Sequence, residues 1–405
     1  NYLITAAAGL NYIRTNLDTN DGFDGKTITL ESDIDLTAVE NFAPIAAGTR
    51  NGSSAEGTGF QGVFDGAGKI IKGLKIASGG ADDAVGFFGV INGGEVKNVK
   101  FTDVAIEATS TKNVGTVAGL VVNGGKISGV TVESGSVKGL QGTGGIAGRI
   151  LLHGTIENCT NKASVLSNSS YNIGGIVGAA YYTNVEGTMT IKNCTNEGSV
   201  EGHNGVGGIA GLSAADIEGC TNKGNVNGYN DSIGGIVGEQ KNAGSVKSCN
   251  NYGNVTNNTG SATGGIIGWV RYNGAASDYL RAEIIEISGN TNEGEIKGVN
   301  LVGGIAGQIF NYAILDGNTN KAPKITATNT NTEQAHLGKA AGIVGYALCT
   351  DVQERGGLTD ELNITLKNNT STTTAENISG AATKLIVNYE TSEYIHLEGN
   401  TPAEN

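Results

Sequence analysis

Across most of the chain the apolar residues fall in short runs of three to five, rich in Ile and Val and separated by Gly, Asn, Ser and Thr. Such runs bounded by turn formers read as strands, and the 3.6-residue spacing of a helix is absent from them. One run returns almost unchanged. Gly144-Gly-Ile-Ala-Gly148 recurs at 174–178, 207–211, 234–238, 264–268, 303–307 and, as Ala-Gly-Ile-Val-Gly, at 341–345; weaker copies stand at 115–119 and 85–89. Each copy is followed by an apolar-x-x-(Val/Cys/Asn) step, as in Ile156 to Cys159, Ile217 to Cys220 and Leu315 to Asn318, and then by a further apolar residue such as Val165, Val226 or Ile325.

Three short strands per unit of ~30 residues cannot bury an apolar face alone, so the units must stack and each strand pair with its copy one coil on. The expected fold is all-β, a parallel β-helix of about 11 coils, divided as an N-terminal cap (1–25), a solenoid (26–350) and a closing coil or cap (351–405). Only the first segment has helical spacing. Leu10, Ile13 and Leu17 share a face there, with Thr5 as a candidate N-cap.

Stacking gives each periodic residue an expected place. Ile146, Ile176, Ile209, Ile236, Ile266, Ile305 and Ile343 form an inward column, and the preceding glycines are expected to take φ > 0 at a corner. Asn161, Asn196, Asn222, Asn251, Asn292 and Asn320 suit a turn, where their amides can form a ladder. Cys159, Cys194, Cys220 and Cys249 occupy one position in successive coils; parallel side chains neither close disulfides nor converge on a metal, so buried free thiols are expected, with Cys349 elsewhere. No cofactor or metal is implied.

A net charge of −13 over 405 residues disfavours nucleic acid and anionic membrane as partners. No apolar stretch of transmembrane length and no export signal occurs in this chain, so no direct membrane insertion is expected, and a monomer is.

Further in, the succession Thr27-Ile-Thr-Leu with Asp33-Ile-Asp-Leu36, Pro44-Ile45, Phe60-x-Gly-x-Phe-Asp-Gly-x-Gly-x-x-Ile71, Leu74-x-Ile76 and Val85-Gly-Phe-Phe-Gly89 resembles the amino-terminal part of GLUG-motif surface proteins of bacteria. The Gly-Gly-Ile-x-Gly repeats resemble the GLUG motif itself, and together the resemblance covers about residues 1–350. It departs at Phe42, where Trp is usual, and at Ala46-Ala47, where Gly follows Pro-Ile. The resemblance implies a right-handed parallel β-helix, exported and displayed on or shed from the cell surface, adhesin-like, with no catalytic motif to carry over.

Function is expected where repeats differ. The gap between the closing glycine and the next anchor varies most, and aromatics gather just after the glycine motifs: Tyr181 and Tyr182, Trp269 with Tyr272 and Tyr279, Phe310 with Tyr312, and Tyr346. Flat rings in exposed loops suit stacking on a sugar or packing in a protein interface, so the expected partner is a glycan or an extracellular host or matrix protein. A polysaccharide lyase or glycoside hydrolase is the enzyme alternative, with Asp278, Glu283 and Glu286 near Arg271 and Arg281, or Asp351, Glu354, Asp360 and Glu361 near Arg355, as its acids. A structural stalk is the third.

Overall fold

The computed structural model describes residues 1–52, 54–77, 80, 83–168, 171–181, 188–272, 284–331, 337–349, 363–389 and 394–402. The chain is a parallel β-helix. Its main core is walled by three stacked parallel sheets of thirteen, eleven and ten strands, here sheets 1, 2 and 3. Each coil crosses sheet 1 at the apolar-x-x-anchor step, sheet 2 just after it, and sheet 3 just after the glycine motif. Residues 155–157, 160–161 and 147–150 mark the three crossings in one stretch of chain.

Between sheets 2 and 3 the coil makes an excursion that the repeat did not announce. The long strands Val104–Gly115 and Gly135–Gly144 run continuously through it. In later coils the same path breaks into two shorter strands, such as Val200–Gly202 and Asn204–Gly207. These two strand columns form a fin folded against itself. Val165, Val200, Val226, Val255 and Ile296 from one column meet Ile173, Val206, Ile233 and Val302 from the other in a second apolar core, separate from the main one. The expected three strands per unit are therefore five.

The inward isoleucine column is as expected, buried in the main core from Ile146 to Ile343. In the first coils that core is filled instead by phenylalanines: Phe87 lies 5.2 Å from Phe88 and 5.5 Å from Phe101, ring centre to centre. Helix α1 (Ala7–Thr15) closes this end with Leu10 and Ile13. Its N-cap is Ala6 rather than Thr5, and no side chain caps it. Ahead of it, Tyr2–Ile4 already pairs with Thr27–Leu30 as a first rung of sheet 1. The segment expected as a closing coil adds further rungs, Ile364–Lys367 and Ile395–Glu398 on sheet 1.

The motif glycines have a different reason from the one expected. None of those in the full repeats has positive φ. They are glycines because of space: a Cβ on Gly208 would lie 2.1 Å from the carbonyl oxygen of Gly235 and 2.3 Å from the side-chain carbon of Asn222. Such distances admit no side chain. The left-handed residues stand two places earlier, at Asn172, Gly205, Ser232 and Ala262, and in a second column between sheets 1 and 2, at Gly129, Asn158, Asn193, Gly219 and Ser248.

The asparagines form the expected ladder, but they point inward from sheet 2 rather than sitting in a left-handed turn. Asn161 Nδ2 donates to Asn196 Oδ1 at 2.9 Å, and the chain runs on through Asn222, Asn251 and Asn292 to Asn320. Nδ2 also donates within its own coil, as from Asn222 to the Gly224 carbonyl at 2.8 Å, so each buried amide is satisfied. Two residues before it lies a mixed column. Cys159, Cys194, Cys220 and Cys249 are buried free thiols there, and Asn290, Asn318 and Asn369 continue the same line as a second amide ladder at 2.9 Å per step.

Candidate binding face

The residue immediately after each closing glycine defines one column on the outer side of sheet 3. In register it reads Leu120, Arg149, Ala179, Leu212, Glu239, Trp269, Gln308 and Tyr346. Its first part is closed off: Val90, Leu120, Val122 and Leu151 pack into a small outer cluster with Ala55, from the hairpin strand Ser54–Glu56. After the apolar Ala179 and Leu212 that follow Arg149, the column from Glu239 onward is polar, charged or aromatic.

At its centre, Glu239, Trp269 and Arg271 come from neighbouring strands, Val237–Lys241 and Ile267–Arg271. The Arg271 guanidinium carbon lies 4.7 Å from the centre of the Trp269 ring, a cation–π contact. Arg271 Nε is 3.7 Å from Glu239 Oε1, close enough for an ion pair and too far for a hydrogen bond. Burial pushes the Glu239 carboxyl above its ordinary range, with Arg271 and Lys241 pulling the other way. Trp269 Nε1, Glu239 Oε1 and Arg271 Nε are all sheltered from water without a hydrogen-bond partner among the described residues.

Tyr181 joins this group to the Arg149 end. Its hydroxyl accepts from Asn242 Nδ2 at 3.2 Å, the Lys241 ammonium lies 5.1 Å from its ring centre, and its main-chain oxygen accepts from Arg149 Nη1 at 3.3 Å. Arg149 is 5% exposed; its Nε also donates to Asn113 Oδ1 at 3.3 Å. Burial, aided by Arg50, pushes this guanidinium down to about 9. No carboxylate among the described residues pairs with it.

The structure thus keeps two of the predicted aromatics on this face, Tyr181 and the half-buried Trp269. It corrects three. Tyr272, Tyr312 and Tyr346 are only 3–4% exposed, and Tyr272 and Tyr312 pack edge to face with ring centres 4.8 Å apart. Tyr272 and Tyr312 lie just past the ends of their sheet 3 strands, and Tyr346 lies within the strand Val344–Leu348, instead of projecting from loops. Tyr182 and Tyr279 lie outside the described residues, as do the candidate acids Asp278, Glu283, Asp351, Glu354, Asp360 and Glu361. Glu286 is described, and it sits on sheet 1, 2.6 Å from Lys247. Arg149, Glu239 and Lys241 were missed because no aromatic stands directly beside them in sequence, and Arg149 and Glu239 are 90 residues apart; counting one residue past each closing glycine finds the first two.

Among the described residues, no group of three or more His, Cys, Asp and Glu is placed to hold a metal ion, and no helix is long and apolar enough to cross a membrane. No family model and no curated protein matches the chain. Among solved structures, the chain is similar to a crystal structure described as a "putative immunoglobulin A1 protease" from Bacteroides ovatus, at 22% identity and TM-score 0.48, over 73% of this chain and 77% of that one.

Proposed function

We propose that the chain is a non-catalytic binding protein, secreted or held at the cell surface, that takes a glycan or an extracellular protein along the outer side of sheet 3. The observation that carries this is the Trp269–Glu239–Arg271 group. An indole N–H with no hydrogen bond, beside a carboxylate and a guanidinium held only as a loose ion pair at 3.7 Å, is costly to the chain alone. A ligand hydroxyl, carboxylate or amide would engage the exposed part of the Arg271 and Glu239 side chains, 26% and 18% of each, with the ring beside it as an apolar platform. The resemblance to GLUG-motif surface proteins points the same way on location and adhesive role. The enzyme reading has less behind it: among the described residues on the strands of this sheet Glu239 is the single carboxylate, whereas glycoside hydrolysis uses a pair.

Screening the whole chain on an array of glycans and matrix proteins tests the proposal. Binding that Trp269→Ala weakens about tenfold or more, as expected for a central aromatic anchor, is the expected result. Equal binding by the variant, or none by the parent, rejects this face as the site.

A further inference from the structure

We infer that the ligand of this face is an acidic polysaccharide, one whose sugar rings carry carboxylate or sulfate groups. This rests on the binding role proposed above and adds the charge of the ligand to it. The ten strands of sheet 3 contribute three cations, Arg149, Lys241 and Arg271, against one acid, Glu239. That excess of positive charge lies on a chain whose net charge is −13.

On sheet 1 the charges are mutually committed. Lys192 pairs with Glu218 at 2.9 Å, Lys247 with Glu286 at 2.6 Å and Lys367 with Asp316 at 3.3 Å. On sheet 3 they are not. Arg149 is buried with no acid beside it, Lys241 lies against a tyrosine ring, and Arg271 holds Glu239 only at 3.7 Å. A buried cation without a counter-charge is expensive unless an anion completes it. Guanidinium groups bind carboxylate and sulfate through paired N–H donors, which makes them the residues of choice for such anions.

The second requirement is a ring surface, and it is met in the same place. Tyr181 and Trp269 each lie against one of the cations, so aromatic planes and positive charge alternate along the strip. Arg149 and Trp269 are four rungs apart in one register column, about 19 Å at the usual strand spacing. A spacing of that size fits a chain of several sugars better than a single one. A linear polyanion with no ring would satisfy only the charges.

The test compares the whole chain's binding to polygalacturonate and chondroitin sulfate, to neutral dextran and mannan, and to poly-L-glutamate. Acidic polysaccharides are expected to bind at least about tenfold more tightly than the other two classes and to weaken with added salt. Lys241→Met should weaken that binding and Glu239→Gln strengthen it, opposite signs that loss of structure cannot produce. Arg149→Met is made alongside, with thermal unfolding to confirm its fold. Equal affinity for neutral polysaccharides overturns the inference and leaves the proposed function standing. Equal affinity for poly-L-glutamate, or binding of an extracellular protein and no polysaccharide, also overturns it. Absence of any ligand removes both.

Discussion

A glycine in this chain means one of two things, and substitution separates them. Gly208 has ordinary φ but no room, so Gly208→Ala must push the next coil away; a loss above about 2 kcal/mol in denaturant unfolding is expected. Gly317 is the reverse case, with φ of +63° and nothing within 4 Å of an added Cβ. Asn occupies the equivalent left-handed position at Asn158 and Asn368, so Gly317→Asn should stay within about 1 kcal/mol of the parent. Equal losses in the two variants would contradict this division. The distinction was invisible in the sequence, where both are simply recurring glycines. Periodicity shows that a position repeats, and only the neighbouring coil shows whether it repeats for torsion or for space.

Glu239 makes a residue-scale prediction of its own. Its carboxyl is raised in the fold, so its ionised form opposes folding at neutral pH, and that penalty lifts as pH falls through the raised value. Glu239→Gln should therefore raise the unfolding temperature at pH 7, with the gain shrinking as the buffer is acidified. The carboxyls of Glu218, Glu286 and Asp316 carry the opposite sign. Hydrogen bonds from Lys192, Lys247 and Asn368 hold them low, so their contribution is present at neutral pH and is lost as pH falls below the ordinary carboxylate range. A gain from Glu239→Gln that does not depend on pH would contradict the burial of that charge.

At the scale of a strand column, what matters is continuity from rung to rung. Asn222 receives a hydrogen bond from Asn196 and gives one to Asn251, so Asn222→Ala strands polar atoms in two other coils; about 2–4 kcal/mol should be lost on unfolding in denaturant. The thiol column has no such chain of obligations. Burial raises the thiols of Cys194 and Cys220 well above their ordinary range. In the native protein at pH 8, a disulfide reagent should therefore modify no more than the half-buried Cys349, and all five cysteines once the chain is unfolded. Rapid native modification of more than one would contradict the closed core. Both columns were legible as columns, because their residues recur at fixed distance from the glycine motif. The inward direction of the asparagines was not, since Asn in a Gly-rich segment reads as a turn former. The fin was hidden for a similar reason: strands as short as Ile233–Gly234 give no alternation to see.

At the scale of the whole molecule, the coils stack from the first rungs to the last, with register shifts only at Ala108–Lys112 and Val344–Ala347 among the described strand pairs. The chain should then tolerate loss of a full unit better than loss of half of one. Deleting residues 212–238 joins Gly211 to Glu239 and preserves every column, so it should leave a cooperatively folded β protein by circular dichroism. Deleting half that stretch should not. The fold class could be read from the period, and the closing helix from the spacing of Leu10, Ile13 and Leu17. What the period could not supply was how single aromatics dispose themselves over a sheet end, because Tyr272 and Tyr312 cover each other by a contact between coils.

The column that starts one residue after each closing glycine has a wider consequence. Because every added unit brings one new member to it, the reach of the proposed binding face is set by how many units the gene encodes, and its chemistry by a single codon in each. Duplication would lengthen the grip and point mutation would retune it, each leaving the other untouched.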